Sequence, residues 1–600
     1  WKSAECKKDP LVLLPFECND LDLNDCQTYS ECRVDERCAH PWLAPPLECS
    51  DLSVAECANH GDSGCGVRDC VESACEWDDW GECRWQAVYP LSCGQHYQDW
   101  PAWDTPTHQQ HWWGHLEDAW RRGLRVVSAS VLEVDPLAVM MTPSDQRTPF
   151  EVIFDQLQAA NDFANRHAWV EIALDAQQAH DIAERGNLAL VLTLEGNFPF
   201  CTVRPCGQGA DEEVMANVLE TLDTYMALGL RGMQVVSHFD NPYAGVAIYN
   251  PSIHALQWLY EEMNADGAIT EAEMGQALTE PMVIAFANAA NRVQATMPLL
   301  PVPNISDLFP VTSFSELNDF HAALASQGGA SGVECVHRDT GAAMDCSTCL
   351  RDQEPCRNVV GLTPLGEDLV RALVDRRMLI DIAHLSEEGV LDLWRVVQDQ
   401  SPTDTYPLYV SHGDARDSLA PNNGNKGPHQ EKPTPQWVFD IIRQSGGMFG
   451  LRTGPDQYLT PITSLVDNDC AGSSKSFAQS LEHILETADV ETGFAVDMNG
   501  MIANAAPRFV DNLSWKMRRR GERAACLGSD WQQGLQNLGV TDDPTTPFTD
   551  ESRFNHHGLG HIGMLGALID DLENNGLPAD VVGAIFSSAE AFVEMWENVP

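Results

Sequence analysis

The sequence predicts an α/β fold, a (β/α)8 TIM barrel. From about residue 96, short apolar runs alternate with amphipathic helical stretches, the pattern of parallel βα units. The runs are almost continuously apolar, as expected for strands buried on both faces. Helices are predicted at Leu365–Arg377 and Thr434–Gln444, and seven strands begin at Leu124, Leu188, Gly232, Met378, Pro407, Gly447 and Gly493. Seven strands are one fewer than a complete barrel has, and a doubly wound sheet is the structural alternative.

The chain divides into two regions of different composition. Residues 1–95 are rich in Cys, Asp and Glu and poor in apolar runs, so we expect disulfides rather than burial to hold this region together. Residues 96–600 form the predicted barrel. Two segments interrupt its alternation and are predicted to be insertions at the rim: a mostly helical one at about 251–330 and a Cys-containing loop at about 331–358.

The 20 cysteines indicate an oxidising compartment. They fall in local groups of even number, which favours disulfides, mainly between near neighbours: Cys201 with Cys206, and the Cys335–Cys356 group among itself. Cys346 and Cys349 form a CxxC pair, so a zinc site is the alternative, but a second close pair is missing. We therefore expect a secreted or cell-surface protein, with the bacterial periplasm as another oxidising location.

The charge balance excludes one class of partner. The chain has 36 basic and 89 acidic residues, a net charge of −53, so a nucleic acid would be repelled. No apolar run reaches the roughly 20 residues of a membrane-spanning helix.

Five polar residues follow predicted strands at the point where each strand ends. They are Glu195, His238, His384, His412 and Asp497. A single one of them has an ordinary explanation as a hydrogen-bonded loop residue or a helix N-cap. Five in succession indicate a site, because the C-terminal ends of barrel strands converge at one mouth. Imidazoles and carboxylates together suit Zn²⁺, and a carboxylate such as Glu195 can bridge two ions.

Several motifs resemble those of the membrane dipeptidase family. The stretch Ser480–Gly500 resembles that family's signature of a helix leading into a strand with G-x-D-x-N-G, and Asn358–Ser386 is similar to its fifth βα unit. Further segments resemble the longer bacterial branch of the family, namely Thr107–Trp113, His557–Leu565 and Ser587–Glu597. The resemblance covers residues 96–600 and implies a barrel of the metal-dependent amidohydrolase type.

The resemblance also implies an activity and a set of roles. It implies a hydrolase of dipeptides or related small amides that uses one or two zinc ions. Glu195 would bind and bridge the metals, and His384 and His412 would complete one metal site. Asp497 would hold and deprotonate the attacking water, and His238 would polarise the scissile carbonyl. Asp530, in the segment Leu-Gly-Ser-Asp-Trp, is the alternative catalytic aspartate.

The sequence departs from the family pattern in two places. The family's first strand carries a His-x-Asp or His-x-His metal pair, and nothing ahead of Trp100 offers it. Beyond His412 the family places an Arg that binds the substrate carboxylate, whereas this chain has Pro421–Lys426. Arg416 or Lys426 is the expected substitute, although a Lys lacks the bidentate fork of an Arg.

These departures leave two functional hypotheses and a weaker third. The first is a secreted zinc-dependent hydrolase acting on a small peptide or amide. The second is a catalytically degenerate barrel that serves as an extracellular structural or assembly protein, with homo-oligomers or an extracellular assembly as its partners. A carbohydrate-active barrel with paired carboxylates is the third, and the His-rich strand ends disfavour it.

Overall fold

The structure is a computed structural model of the chain. It describes a short antiparallel hairpin near the start of the chain, β1 (Cys75–Trp77) with β2 (Cys83–Trp85). The other described residues are Trp103, Cys206, Phe554 and residues 113–135, 147–203, 211–249, 335–344, 354–402, 405–420, 427–454, 464–468, 470–498, 504–508 and 558–600. Most of the Cys-rich region 1–95 and the insertion predicted at 251–330 lie outside the described residues, as do Lys426 and Asp530.

One parallel sheet forms the centre of the fold. Its strands are β3 (Val126–Glu133), β4 (Val170–Ile172), β5 (Leu188–Gly196), β6 (Leu230–Gln234), β10 (Leu379–Asp381), β11 (Leu408–Gly413), β12 (Phe449–Arg452) and β13 (Thr492–Ala495). They are hydrogen-bonded in the order β3-β5-β6-β10-β11-β12-β13, and β4 pairs with the first residues of β5. All seven predicted strands are confirmed.

The strand order distinguishes a barrel from a doubly wound sheet. Along this seven-strand path, the order of the strands in the sheet is the same as their order in the chain. The order never reverses as it does at the switch point of a doubly wound sheet. The predicted α/β-barrel class is therefore confirmed. Within the part of the chain that the structure describes, no strand pairs with β3 or β13 on their outer sides.

Helices follow most of the strands and begin at recognisable caps. They are α1 (Trp113–Arg121), α2 (Pro149–Arg166), α3 (Ala176–Glu184), α4 (Asp211–Ala227), α5 (Pro364–Asp375), α6 (Glu387–Gln400), α7 (Gln436–Ser445), α8 (Ser474–His483), α9 (Leu565–Asn574) and α10 (Ala579–Glu597). Thr148 and Glu151 form a capping box at α2, and Thr363 and Ser386 cap α5 and α6. The two predicted helices correspond to α5 and α7. None of the described helices has the length and apolarity to cross a membrane.

The strands bury both faces. Along β5, Leu188, Leu190, Leu192 and Leu194 belong to the large outer core beneath the helices. The alternate residues Ala189 and Val191 belong to a second cluster inside the barrel, together with Leu379, Tyr409, Met448, Phe592 and Trp596. Helix α10 supplies the last two, so it packs at the N-terminal ends of the strands, against β13 and α3.

The Cys-containing loop contains a small antiparallel sheet. Its strands are β7 (Cys335–His337), β8 (Ala343–Met344) and β9 (Cys356–Asn358), in the order β8-β7-β9. Cys335, Cys356 and Cys470 are disulfide-bonded. Cys201 and Cys206 are joined to each other, which confirms the local pairing predicted for them.

A candidate metal centre at the barrel mouth

Three of the predicted site residues meet at the C-terminal ends of neighbouring strands. Glu195 and His412 are the penultimate residues of β5 and β11, and His384 follows β10. All three are buried, and their ligand atoms lie within 4.8 Å of one another. The Nε2 of His384 is 2.8 Å from the Nε2 of His412 and 3.4 Å from Oε1 of Glu195.

These atoms fit a divalent ion such as Zn²⁺. Ligand atoms in a tetrahedral zinc site are about 3.3 Å apart, since metal–nitrogen distances are about 2.0–2.1 Å. The His384–His412 and His384–Glu195 separations lie close to that value. Two imidazoles and a carboxylate are also the donor set of hydrolytic zinc sites, which leave a fourth position open.

The electrostatics keep the two histidines neutral. Burial, followed by the nearby charge of Lys432, lowers the pKa of both His384 and His412 well below the usual range, so each imidazole keeps one nitrogen without a proton, as a metal ligand requires. Burial also raises the pKa of Glu195 to about 7, and repulsion from Asp497 adds to the rise. A bound cation would reverse the effect on Glu195 by favouring its ionised form.

Buried polar groups fix the loops that carry the ligands. The Asp381 carboxylate, whose pKa is raised by burial, accepts hydrogen bonds from the backbone N–H groups of Ala383 and Ser411, each at 2.9 Å. Ser411 Oγ lies 2.9 Å from Nδ1 of His412, so it holds the ring that carries the ligand nitrogen. Asp381 therefore braces the segments before both histidines.

Two site residues have unusual backbone conformations. His384 has φ of 66° and Asp497 has φ of 45°, in the left-handed region that non-glycine residues seldom adopt. Such strain persists only where the surrounding structure imposes it, and it concentrates at functional sites.

His238 and Asp497 are also at the mouth. The His238 ring stands edge-on to that of His384, with centroids 5.0 Å apart, and its Nδ1 is hydrogen-bonded to the Tyr249 hydroxyl. Asp497 Oδ2 is 3.7 Å from Nε of Arg452. The structure thus brings all five predicted strand-end residues to one region, while their individual roles stay predictions.

Lys432 is a site residue that the sequence reasoning missed. Its Nζ is 2.9 Å from Nε2 of His384 and 4.7 Å from the centre of the Tyr249 ring. Burial lowers its pKa, and the carboxylates of Asp497 and Glu195 oppose that shift. The signal that could have found it is weak, a Lys-Pro pair just before the predicted helix α7.

Arg416, predicted to bind a substrate carboxylate, is enclosed between loops. Its guanidinium donates to the Glu387 carboxylate at 2.7 Å, to the Pro433 carbonyl at 2.9 Å and to the Glu431 carbonyl. All three of its nitrogens therefore donate to the protein, and Arg416 braces the loop that carries Lys432. Substrate binding by Arg416 or by Lys426 stays a prediction.

The end of β3 carries a buried acid, Glu133, followed by Asp135. Glu133 is buried and accepts hydrogen bonds from the backbone N–H groups of Asn197 at 3.1 Å and Phe198 at 2.8 Å. Burial raises its pKa to about 7, with repulsion from Asp135 adding to the rise. The Asn197 side chain in turn accepts from the His238 N–H at 2.8 Å. Glu133 thus orders the loop after β5 and belongs to no described cluster of candidate metal ligands.

The fold and this cluster together define an α/β-barrel protein with a candidate metal centre at its mouth. Among solved structures, the chain is similar to a dipeptidase described as a metallopeptidase of family M19 (12% identity over 84% of this chain and 93% of that one, TM-score 0.40). It is also similar to a metallopeptidase from Rhodobacter sphaeroides liganded with a phosphinate mimic of the dipeptide L-Ala-D-Ala (12%, 84% and 94%, TM-score 0.41). An amidohydrolase from Pseudomonas aeruginosa is a third (11%, 82% and 93%, TM-score 0.40). No protein-family model and no curated protein matches the chain.

Proposed function

We propose that this protein is a metal-dependent hydrolase that cleaves dipeptides or related small amides. The observation that carries the proposal is the convergence of Glu195, His384 and His412, three buried ligand atoms with the spacing and chemistry of a hydrolytic metal site. We expect zinc, because the ligand set is two imidazoles and one carboxylate. When bound there, such an ion activates water as a nucleophile and polarises a carbonyl group.

Asp497 is the proposed proton acceptor. It stands at the end of β13, and its charge acts on the Glu195 carboxylate, so the two acids share one environment. The guanidinium of Arg452 lies 3.7 Å from both Asp497 and Asp414 and holds the Asp497 side chain at the mouth. A carboxylate in this position takes the proton of the attacking water and passes it to the leaving amine.

His238 is the proposed donor to the scissile carbonyl. Burial raises the pKa of Tyr249 well above its usual range, so its hydroxyl keeps its proton. The Tyr249 hydroxyl is hydrogen-bonded to Nδ1 of His238, and in the proposed tautomer it donates to Nδ1 and leaves the imidazole proton on Nε2. His238 then presents an N–H that stabilises negative charge as it develops on the carbonyl oxygen.

Lys432 is the proposed partner of the substrate carboxylate. Its ammonium is buried among the carboxylates of the mouth, so it supplies a positive charge inside the site. A free dipeptide brings one terminal carboxylate, and one ammonium can neutralise it. Lys432 is thereby a further candidate for the role predicted for Arg416 or Lys426, and it offers a point charge without the fork of an Arg.

An oxidising location also belongs to the proposal. The Cys201–Cys206 disulfide and the disulfide-bonded Cys335, Cys356 and Cys470 support an extracellular or periplasmic protein. The alternative function is a degenerate barrel used as an extracellular scaffold. The observation that favours it is the Lys432–His384 contact, which places an ammonium on a ligand nitrogen.

The test is zinc content and dipeptide turnover for the wild type, His412→Ala and His483→Ala. His412→Ala removes one of three ligands, so we expect loss of bound zinc and of turnover together. His483 ends α8 and belongs to no described group of candidate metal ligands, so His483→Ala is the matched control and should behave as the wild type. Equal turnover by wild type and His412→Ala rules out this mechanism. A zinc-free, inactive wild type supports the scaffold.

A further inference from the structure

We propose that Lys432 is a competing cation at the metal centre. Its ammonium occupies Nε2 of His384 until a divalent ion takes that nitrogen, and is then released toward the substrate. This inference rests on the proposed function for its metal centre. It adds that metal binding and the availability of the substrate-binding cation are coupled through one nitrogen atom.

The coupling follows from the hydrogen-bonding capacity of an imidazole. An ammonium can only donate, so its hydrogen bond to Nε2 requires the tautomer of His384 that carries its proton on Nδ1, in which Nε2 has one lone pair in the plane of the ring. Lys432 Nζ lies 2.9 Å from that atom, the distance of a charge-assisted hydrogen bond. A metal ion needs the same lone pair, so His384 cannot serve the ammonium and the ion together. Two cations at this spacing also repel each other in a buried site.

The backbone around Lys432 is held firmly, so the competition is confined to its side chain. The neighbouring Glu431 carboxylate is buried and accepts hydrogen bonds from three backbone N–H groups, those of Ile248 at 3.0 Å, Asn358 at 2.7 Å and Glu387 at 2.7 Å. The Glu431 N–H donates to the Ile248 carbonyl at 2.8 Å. These bonds join the Lys432 loop to three other segments.

The Lys432 side chain can leave His384 without a movement of its backbone. Its four-carbon chain rotates freely about several bonds, whereas the backbone beneath it is fixed. The Tyr249 ring already lies 4.7 Å from the ammonium and can keep contact with it as a cation–π partner. A displaced ammonium therefore stays in the mouth, where a substrate carboxylate binds.

The experiment is a Zn²⁺ titration in competition with a chromophoric chelator, using the whole chain. Lys432→Met keeps the length of the side chain and removes the charge. We expect it to bind Zn²⁺ about 10- to 100-fold more tightly than the wild type, the equivalent of one hydrogen bond to a charged group. Lys432→Gln is a second variant in case Lys432→Met does not fold, and it should also bind Zn²⁺ more tightly than the wild type.

Two controls separate competition from a general change of charge. Arg443→Met removes an exposed cation that pairs with Asp440 on α7, and it should leave zinc affinity unchanged. Lys432→Arg keeps the charge at the site and should bind zinc no more tightly than the wild type. The proposal is overturned if Lys432→Met and Lys432→Gln bind zinc no more tightly than the wild type does. It is also overturned if neither variant binds zinc.

A second readout follows Lys432 itself. In wild-type protein we expect Zn²⁺ to raise the acetylation of Lys432 by acetic anhydride relative to that of Lys475 on α8, because the ion releases the ammonium. Unchanged or reduced relative labelling contradicts the proposal. Neither measurement depends on turnover, so the failure of this inference and that of dipeptide hydrolysis are distinguishable.

Discussion

The two ends of the barrel are built from different kinds of side chain. At the N-terminal ends of the strands, Ala189 and Met448 pack with Phe592 and Trp596 of α10 in an apolar cluster. The C-terminal ends instead collect buried imidazoles and carboxylates, and one of these residues, His384, has a positive φ. Apolar burial favours folding, whereas buried charges cost free energy unless they are paired. The N-terminal end therefore stabilises the fold, whereas the C-terminal end carries the candidate metal centre.

The largest effect is expected from Phe592→Ala, a change in the apolar cluster at the N-terminal end of the barrel. Phe592 is buried and stands edge-on to the Tyr409 ring inside the barrel, with centroids 6.4 Å apart. Phe592→Ala should lower the free energy of unfolding by about 3–5 kcal/mol, as expected for a buried aromatic side chain, and leave zinc affinity unchanged. Urea denaturation and zinc titration measure the two quantities.

The matched control is on the same helix. Phe586 is 68% exposed, so Phe586→Ala should change the unfolding free energy little. Equal destabilisation by the two substitutions would show that α10 does not close the barrel through Phe592. Loss of zinc affinity in Phe592→Ala would show that the two ends are not separate.

A smaller effect is expected from Ser411→Ala at the mouth. This change removes the hydroxyl that holds Nδ1 of His412, and loss of such a partner typically weakens metal binding by about 10- to 100-fold. Ser445→Ala is the control, because Ser445 Oγ accepts from Leu408 N at the opposite end of the same strand, β11. Zinc titration should separate the two variants, and equal affinities would remove Ser411 from the site.

The smallest effect is expected from Tyr249→Phe. It removes the hydroxyl that directs the imidazole proton of His238, so kcat should fall by about tenfold, the worth of one hydrogen bond, with zinc affinity unchanged. Tyr243→Phe is the control, since the Tyr243 ring packs edge-on against Phe200. An unchanged kcat in Tyr249→Phe would exclude His238 as the oriented donor.

The strands and the residues at their ends could be predicted because both depend on local pattern. Buried parallel strands are apolar runs, and a polar residue that ends each run reaches the same mouth by geometry alone. Glu195, His384 and His412 were found in this way. Their closeness in space needed no knowledge of the loops.

Lys432 could not be predicted because its position depends on contacts between distant segments. It lies in an irregular loop, and the carboxylate of its neighbour Glu431 fixes that loop to Ile248, Asn358 and Glu387. No periodic pattern encodes such bonds. The sequence offers Arg416 or Lys426 as the expected substitute for an Arg beyond His412, yet the same loop uses the Arg416 guanidinium as a brace.

Glu195, His384 and His412 form the proposed metal centre, and X-ray absorption at the zinc edge of the zinc-loaded protein measures the ligands of the bound ion. We expect only nitrogen and oxygen neighbours at about 2.0–2.2 Å, with the outer-shell scattering of two imidazoles, and loss of this signal in His412→Ala. A sulfur shell at about 2.3 Å, the distance of a cysteine ligand, would place the zinc among the cysteines and contradict the account.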